Sequence, residues 1–322
     1  MESPKDLAEL FQRENGFLIF THVQPDGDTL GSALALGLSL RLLGKKAVVV
    51  RSDPLPEIYQ FLPGSGEIAD WRQVEGDFRV GVLVDCGDPT RVGEAAKLLA
   101  RVALVVNIDH HGTNAGFGQY NYVDVQAAAV GEQIYELLRS MEVDISPAIA
   151  TCLYTAIVTD TGSFRYESTR ESTFRVAAEL VRLGAKPAQV AENAFETRSL
   201  SSARLLGRAL ETLELTPDGK VAWLVISRAA LEETGASDEE TEGIINYARA
   251  IRGVEVGLLF RETGDGKVRV SLRSRHQVDV SRVASHFDGG GHPRAAGCTL
   301  SLPLNEAREK VITAVRGALA DS

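Results

Sequence analysis

The sequence predicts an α/β protein built on a mainly parallel sheet, followed by a second, smaller α/β unit. Two observations carry this. Short apolar runs at Phe17–Phe20, Ala47–Val50, Arg79–Val84 and Val102–Ile108 alternate with helical patterns, the texture of βαβ units covered on both sheet faces. Beyond residue 200 the texture changes to alternating strand candidates at 210–216, 221–227, 254–262 and 267–273.

In chain order, residues 4–14 read as a short amphipathic helix and 17–21 as a strand. Residues 29–43 form a helix apolar enough to be buried against a sheet, with Gly44 at its C′ position. Pro54, Pro56, Pro63 and Gly64 mark an irregular connection after the second strand. The third strand runs into Asp85-Cys86-Gly87-Asp88, a helix follows at 91–100, and the fourth strand runs into Asp109-His110-His111-Gly112. Helices are expected at 129–140, 147–159, 171–183 and 187–197, with Pro147 and Pro187 in first turns. Residues 193–209 read as a helical connector between a domain at 1–192 and another at 210–322. Pro217-Asp218-Gly219 signals a hairpin, and helices are expected at 237–251, 279–286 and 304–320.

Composition narrows the function. The 322 residues are 44% hydrophobic and 24% charged, which is ordinary for a globular protein. A formal charge of −10 provides no basic track for a long nucleic acid, yet it does not oppose a short phosphate substrate held by metal ions. Cys86, Cys152 and Cys298 form no CxxC pattern, so reduced cytoplasmic thiols are expected. The start, MESPKDLAELFQREN, lacks the features of a signal peptide. No apolar run approaches the ~20 residues of a membrane span.

The chemistry lies where strands end. Thr21–Ser32 (THVQPDGDTLGS) hands a strand over to a helix and offers His22, Asp26 and Asp28. Asp85 and Asp88 end the third strand, and Asp109, His110 and His111 the fourth. Parallel strands point the same way, so these ends share one sheet edge, where open α/β sheets bind ligands. Asp160 follows a largely apolar helix, where a buried carboxylate is disfavoured by desolvation and by the helix dipole unless a cation accompanies it. Each residue alone has a structural alternative: Thr29 as a helix cap, Asp88 as a cap or a partner for Arg91, either histidine as a satisfied interior side chain. Together they supply oxygen and nitrogen ligands for two hard divalent ions.

HVQPDGDTLGS, VDCGD, IDHHG and TAIVTDTGSF, in that order, resemble the four motifs of the DHH phosphoesterases, and Asp109-His110-His111 is the DHH triplet itself. Phe287–Gly297 (FDGGGHPRAAG) resembles the GGGH loop of the DHH-associated C-terminal domain. Length and both domains together look most like the nanoRNase/pAp-phosphatase branch. The resemblance implies two Mn²⁺ ions, with Mg²⁺ or Co²⁺ as substitutes. His22, Asp26 and Asp85 would hold one; Asp28, Asp85, His110 and Asp160 would hold the other, Asp85 bridging. His111 would face the scissile phosphate, making it and Asp85 the catalytic pair. Asp109 would orient a ligating histidine, with Asp88 in a supporting place. One departure is visible, since Asp288 stands where the loop often has a further glycine.

Two ions about 3.5–4 Å apart can activate a shared water for in-line attack on phosphorus. Such a centre is indifferent to what lies beyond the phosphate, so selection would fall to the second domain. Gly289, Gly290, Gly291 and His292 offer backbone and side-chain donors to an anion. Arg273 and Arg275 are expected on one face of a strand, suited to phosphate or base contacts. The expected fold thus places a parallel-sheet catalytic domain and a substrate-binding domain on either side of a cleft. The expected activity is hydrolysis of RNA two to five nucleotides long and of 3′-phosphoadenosine 5′-phosphate. The alternative is a phosphodiesterase for dinucleotides such as pApA, pGpG or c-di-AMP; a catalytically silent nucleotide-binding regulator is disfavoured because every motif carboxylate and histidine is present. Expected partners are short single-stranded RNA or a mononucleotide bisphosphate. Long duplex nucleic acid and membrane are not expected, and a homodimer is the candidate assembly.

Overall fold

The computed structural model describes residues 2–320, with the backbone alone at His292, and divides into two compact units meeting between Thr197 and Arg198. The first unit begins with helix α1 (Pro4–Arg13), whose Ser3 N-cap and Asp6 form a capping box. Its sheet holds six strands: β1 (Gly16–Phe20), β2 (Lys46–Arg51), β3 (Ala69–Asp70), β4 (Val80–Val84), β5 (Leu104–Asp109) and β6 (Tyr120–Val123). All neighbours are parallel, in the order β3-β2-β1-β4-β5-β6. Period-two alternation divides the strands between two cores. Phe17 and Ile19 of β1 face one; Leu18 and Phe20 face the other. This two-sided burial is why the strands read as continuous apolar runs.

Helix α2 (Gly27–Leu42) lies in the first of these cores, with residues 27–37 all buried. Around it pack α3 (Val130–Ser140) and α4 (Pro147–Asp160), and α5 (Glu171–Arg182) and α6 (Pro187–Ala191) follow along the chain. Close approach of α2 to α4 depends on two glycines. A Cβ at Gly31 would stand 2.4 Å from the Cys152 carbonyl oxygen, and one at Gly27 would stand 2.4 Å from Thr159 Oγ1.

The second unit has its own six-stranded sheet, ordered β11-β12-β10-β9-β8-β7. Its elements are α7 (Leu200–Glu211), β7 (Glu214–Leu215), β8 (Val221–Ile226), α8 (Arg228–Thr234), α9 (Ile245–Ala250), β9 (Val256–Glu262), β10 (Val268–Ser274), α10 (Val280–Ser285), β11 (Gly290–His292), β12 (Ala295–Leu300) and α11 (Leu304–Ala320). Here β8 and β9 are parallel and the other neighbours antiparallel. Val221 and Trp223 face one core, Ala222 and Leu224 the other.

Several local expectations are corrected. The helix expected at 91–100 is a 3₁₀ segment, Pro89–Arg101, broken where Gly93 takes φ +58°. The strand expected at 210–216 shrinks to β7, because α7 continues through Glu211. The helix expected at 237–251 is a 3₁₀ turn at Glu239–Thr241 followed by α9. Strands β3, β6, β11 and β12 had no expectation; three of them have four residues or fewer, too few to show a period.

Candidate metal centre

The strand order reverses between β1 and β4, and ligand sites in open α/β sheets lie beyond the strand ends at such a reversal. His22, Asp26 and Asp28 follow β1, Asp85 follows β4, His110 and His111 follow β5, and Asp160 ends α4. Three groups of side chains converge there, each with ligand atoms within 4.8 Å of one another: His22, Asp26 and Asp85; Asp28, His110 and Asp160; Asp85, His110 and His111.

Asp85 stands at the centre. It is buried and takes φ +57°, a left-handed conformation that Asp tolerates better than most residues. Its Oδ2 lies 3.4 Å from His22 Nε2, and its Oδ1 lies 3.6 Å from His110 Nε2 and 3.7 Å from His111 Nδ1. Oδ1 is buried yet accepts no hydrogen bond. A buried carboxylate oxygen without a donor is costly, and a cation placed among these groups removes that cost.

Backbone carbonyls set the histidine tautomers. His22 Nδ1 donates to the Val23 carbonyl (2.8 Å), and His110 Nδ1 donates to the Ala127 carbonyl (3.1 Å). The Nε2 lone pair of each neutral ring therefore points at the carboxylates. His110 Nε2 is 3.5 Å from Asp160 Oδ2, and His22 Nε2 is 3.7 Å from Asp26 Oδ1. The charges of the cluster act on one another. Burial disfavours charge on both rings, but Asp26 and Asp85 outweigh it and lift His22 to about 10. Asp160, Asp85 and Asp28 likewise lift His110 to about 9. Burial pushes Asp28 well above the usual carboxylate range, helped by the charges on Asp85 and Asp160. Partial burial, with the charges on Asp85 and Asp26, pushes Asp160 up to about 7 against the opposing His110.

Asp28 has a second partner that the sequence did not reveal. Helix α3 begins at Ala129, which offers no side-chain cap. Asp28 caps it from α2 instead, accepting Val130 N–H at 2.7 Å and Gly131 N–H at 3.0 Å, and it also accepts Ser32 Oγ at 2.9 Å. A carboxylate accepts about four bonds, so three donors leave capacity for one more ligand. The helix N-terminus favours negative charge at this point.

Four expectations change in detail. The cap of α2 is Asp26, which accepts Asp28 N–H and Thr29 N–H, while Thr29 Oγ1 donates to the Val84 carbonyl. Asp109 pairs with His111 and not with His110, the histidine expected to ligate: its Oδ1 accepts from His111 Nδ1 at 2.6 Å. Extended backbone puts residues 109 and 111 on one side and His110 on the other. Asp88 is exposed and caps the 3₁₀ segment, accepting Thr90 N–H and Oγ1, which leaves it no supporting place at the cluster. Asp160 is 33% exposed, at the rim rather than buried within.

In the second unit, Gly289–His292 is an edge strand with the preceding turn, not a loose loop. A Cβ at Gly289 would stand 2.3 Å from the Gly297 carbonyl oxygen; one at Gly291, where φ is +140°, would stand 2.5 Å from that of Ala295. Gly290 faces open space. The His292 side chain lies outside the described residues. Asp288 is exposed at φ +55°, so it supplies the left-handed turn that a glycine would. Arg273 lies on β10 and donates to the Leu272 carbonyl. Arg275 lies past the strand end and donates to the Arg249 and Ala250 carbonyls at the end of α9. The two arginines therefore do not form a pair on one strand face.

Fold and cluster define a phosphoric ester hydrolase: the chain belongs to the DHH family of phosphoesterases, which are metal-dependent. The DHH family N-terminal domain matches residues 16–157 and the DHHA1 domain matches residues 218–321. Among its relatives is the bifunctional oligoribonuclease and PAP phosphatase NrnA of Thermus thermophilus, 36% identical over 99% of this chain and 95% of that one. The protein of the same description from Bacillus subtilis is 29% identical over 88% of each chain. The crystal structure of an exopolyphosphatase-related protein from Bacteroides fragilis superimposes with a TM-score of 0.92 at 26% identity, covering 98% of this chain and 95% of that one.

Proposed function

We propose that the protein hydrolyses RNA a few nucleotides long and 3′-phosphoadenosine 5′-phosphate, in the cytoplasm, with two Mn²⁺ ions that Mg²⁺ or Co²⁺ can replace. The carrying observation is the buried Asp85 Oδ1, which accepts no hydrogen bond while facing two imidazoles. The donor set fits such ions: two imidazole nitrogens with tautomers fixed by backbone, and four carboxylates. His22, Asp26 and Asp85 would hold one ion; Asp28, Asp85, His110 and Asp160 would hold the other. When bound, the ions supply Lewis-acid polarisation of the phosphoryl group and acidify water.

The chain's own residues do the rest. Asp109 holds His111 through Nδ1, which makes Nε2 the nitrogen that acts on the substrate, donating to a phosphoryl or leaving oxygen. Asp28 is fixed from three sides and so holds the second ligand group rigidly to α3. Substrate recognition would fall to the second unit, where Gly290 faces open space and Arg273 lies on β10, with His292 a candidate from the sequence. The names of the Thermus and Bacillus relatives support this choice of substrates.

The test is a panel with Mn²⁺: dinucleotides, five-mers, pGpG, c-di-AMP and 3′-phosphoadenosine 5′-phosphate. Turnover of short RNA and of the bisphosphate is expected, ahead of the cyclic dinucleotide. No hydrolysis of any member would refute the reading.

A further inference from the structure

Between β5 and the turn that follows it, a chain of amides leads to His111. Asn107 lies within the apolar run of β5 and is completely buried. Its Nδ2 donates to the Cys86 carbonyl at 3.0 Å, and its Oδ1 accepts Asn114 Nδ2 at 2.6 Å. Asn114 Nδ2 also donates to Asp109 Oδ2 at 2.5 Å. The orientation of the Asn114 amide is fixed by chemistry: its Oδ1 accepts Gly116 N–H at 2.8 Å, and an ionised carboxylate can only accept. Asp109 is itself completely buried, and its other oxygen takes the His111 proton. Both carboxylate oxygens are thus engaged, one by Asn114 and one by His111. The plane of the carboxylate, and with it the angle of the imidazole, is set by Asn114.

The geometry points to Asn114 as a positioning residue for phosphoryl hydrolysis, acting through Asp109 on His111, with Asn107 holding Asn114 in place. This rests on the proposed function. Asn114 bonds to Asp109, which is not among the six residues proposed to hold the ions, so its removal should leave ion binding intact and disturb the ring.

The test is a double-mutant cycle on a dinucleotide with Mn²⁺, comparing wild type, Asn114→Ala, His111→Ala and the double variant, with the isosteric Asn114→Asp alongside. Asn114→Ala and Asn114→Asp should each lower kcat about 10- to 100-fold, as loss of an outer hydrogen bond to a catalytic imidazole does. KM should change less than about threefold, and Mn²⁺ stoichiometry not at all. In the His111→Ala background, Asn114→Ala should change kcat less than about threefold, because the route through the ring is gone. A full loss multiplied onto His111→Ala, a defect carried by KM, or wild-type rates overturns the assignment. Unfolding of both Asn114 variants also overturns it, since the residue is then structural. A wild type without turnover overturns the proposed function and this inference with it; an active wild type with an additive cycle overturns this inference alone.

Discussion

Replacing Asp85 by Asn removes the charge that faces both ligand groups while keeping the shape. Asn is among the residues that tolerate φ +57°, so the backbone need not move. Oδ2 faces His22 at 3.4 Å and Oδ1 faces His110 at 3.6 Å, so one substitution weakens both ion sites. An ion at 100 times its Kd stabilises the folded state by about 2.7 kcal/mol. In a unit of 150–250 residues each kcal/mol moves Tm by roughly 2–4 °C, so one filled site is worth about 5–11 °C. Thermal unfolding followed with and without saturating MnCl₂ should show at least that rise for wild type and less than half of it for Asp85→Asn. Turnover should fall at least ~10³-fold in the variant, the scale of losing a principal electrostatic element. An undiminished Mn²⁺-dependent rise in Asp85→Asn would refute the bridging role.

Other predictions concern the frame. Gly31→Ala forces a Cβ to 2.4 Å from a backbone oxygen of α4; a loss of about 1–3 kcal/mol in urea unfolding is expected, with lowered activity as Asp28 and Asp160 separate. Burial pushes the Cys298 thiol up to about 11, so about 10⁻³ of it is thiolate at pH 8; native protein should resist iodoacetamide there, react faster as pH rises towards 11, and react fully when unfolded. Glu255 Oε1 accepts the N–H groups of His276, Gln277 and Val278. Burial raises its pKa, and these donors outweigh that to hold it below the usual value. A depressed folded-state pKa stabilises above the unfolded value and is lost as pH falls through the folded one. After discounting for solvent screening, Glu255→Gln should cost about 1–2 kcal/mol at pH 7, and the two stabilities should converge in acid.

What was legible follows from what repeats along a chain. β1, β2, β4 and β5 show as apolar runs because both of their faces are covered, and His22, Asp85 and His110 stand out because polar ligands follow such runs directly. β3 and β11 are too short to carry a period. Gly93 hides a break inside a helical composition, since one φ of +58° leaves the surrounding residue types unchanged. The partner of Asp109 and the capping of α3 by Asp28 join residues through space, so spacing does not reveal them. Asn107 did leave a signal: a polar side chain within Val105-Val106-Asn107-Ile108 must be satisfied if it is buried. Gly27 left no such signal. Thr159 of α4 is what excludes a side chain there, a contact through space that the flanking acidic residues do not disclose.

The central claim is that two ions meet at Asp85. Anomalous diffraction at the manganese edge from crystals grown with MnCl₂ tests it most directly. Two peaks are predicted, one among His22, Asp26 and Asp85 and the other among Asp28, Asp85, His110 and Asp160. A single peak, or peaks that leave Asp85 without a contact, would contradict it.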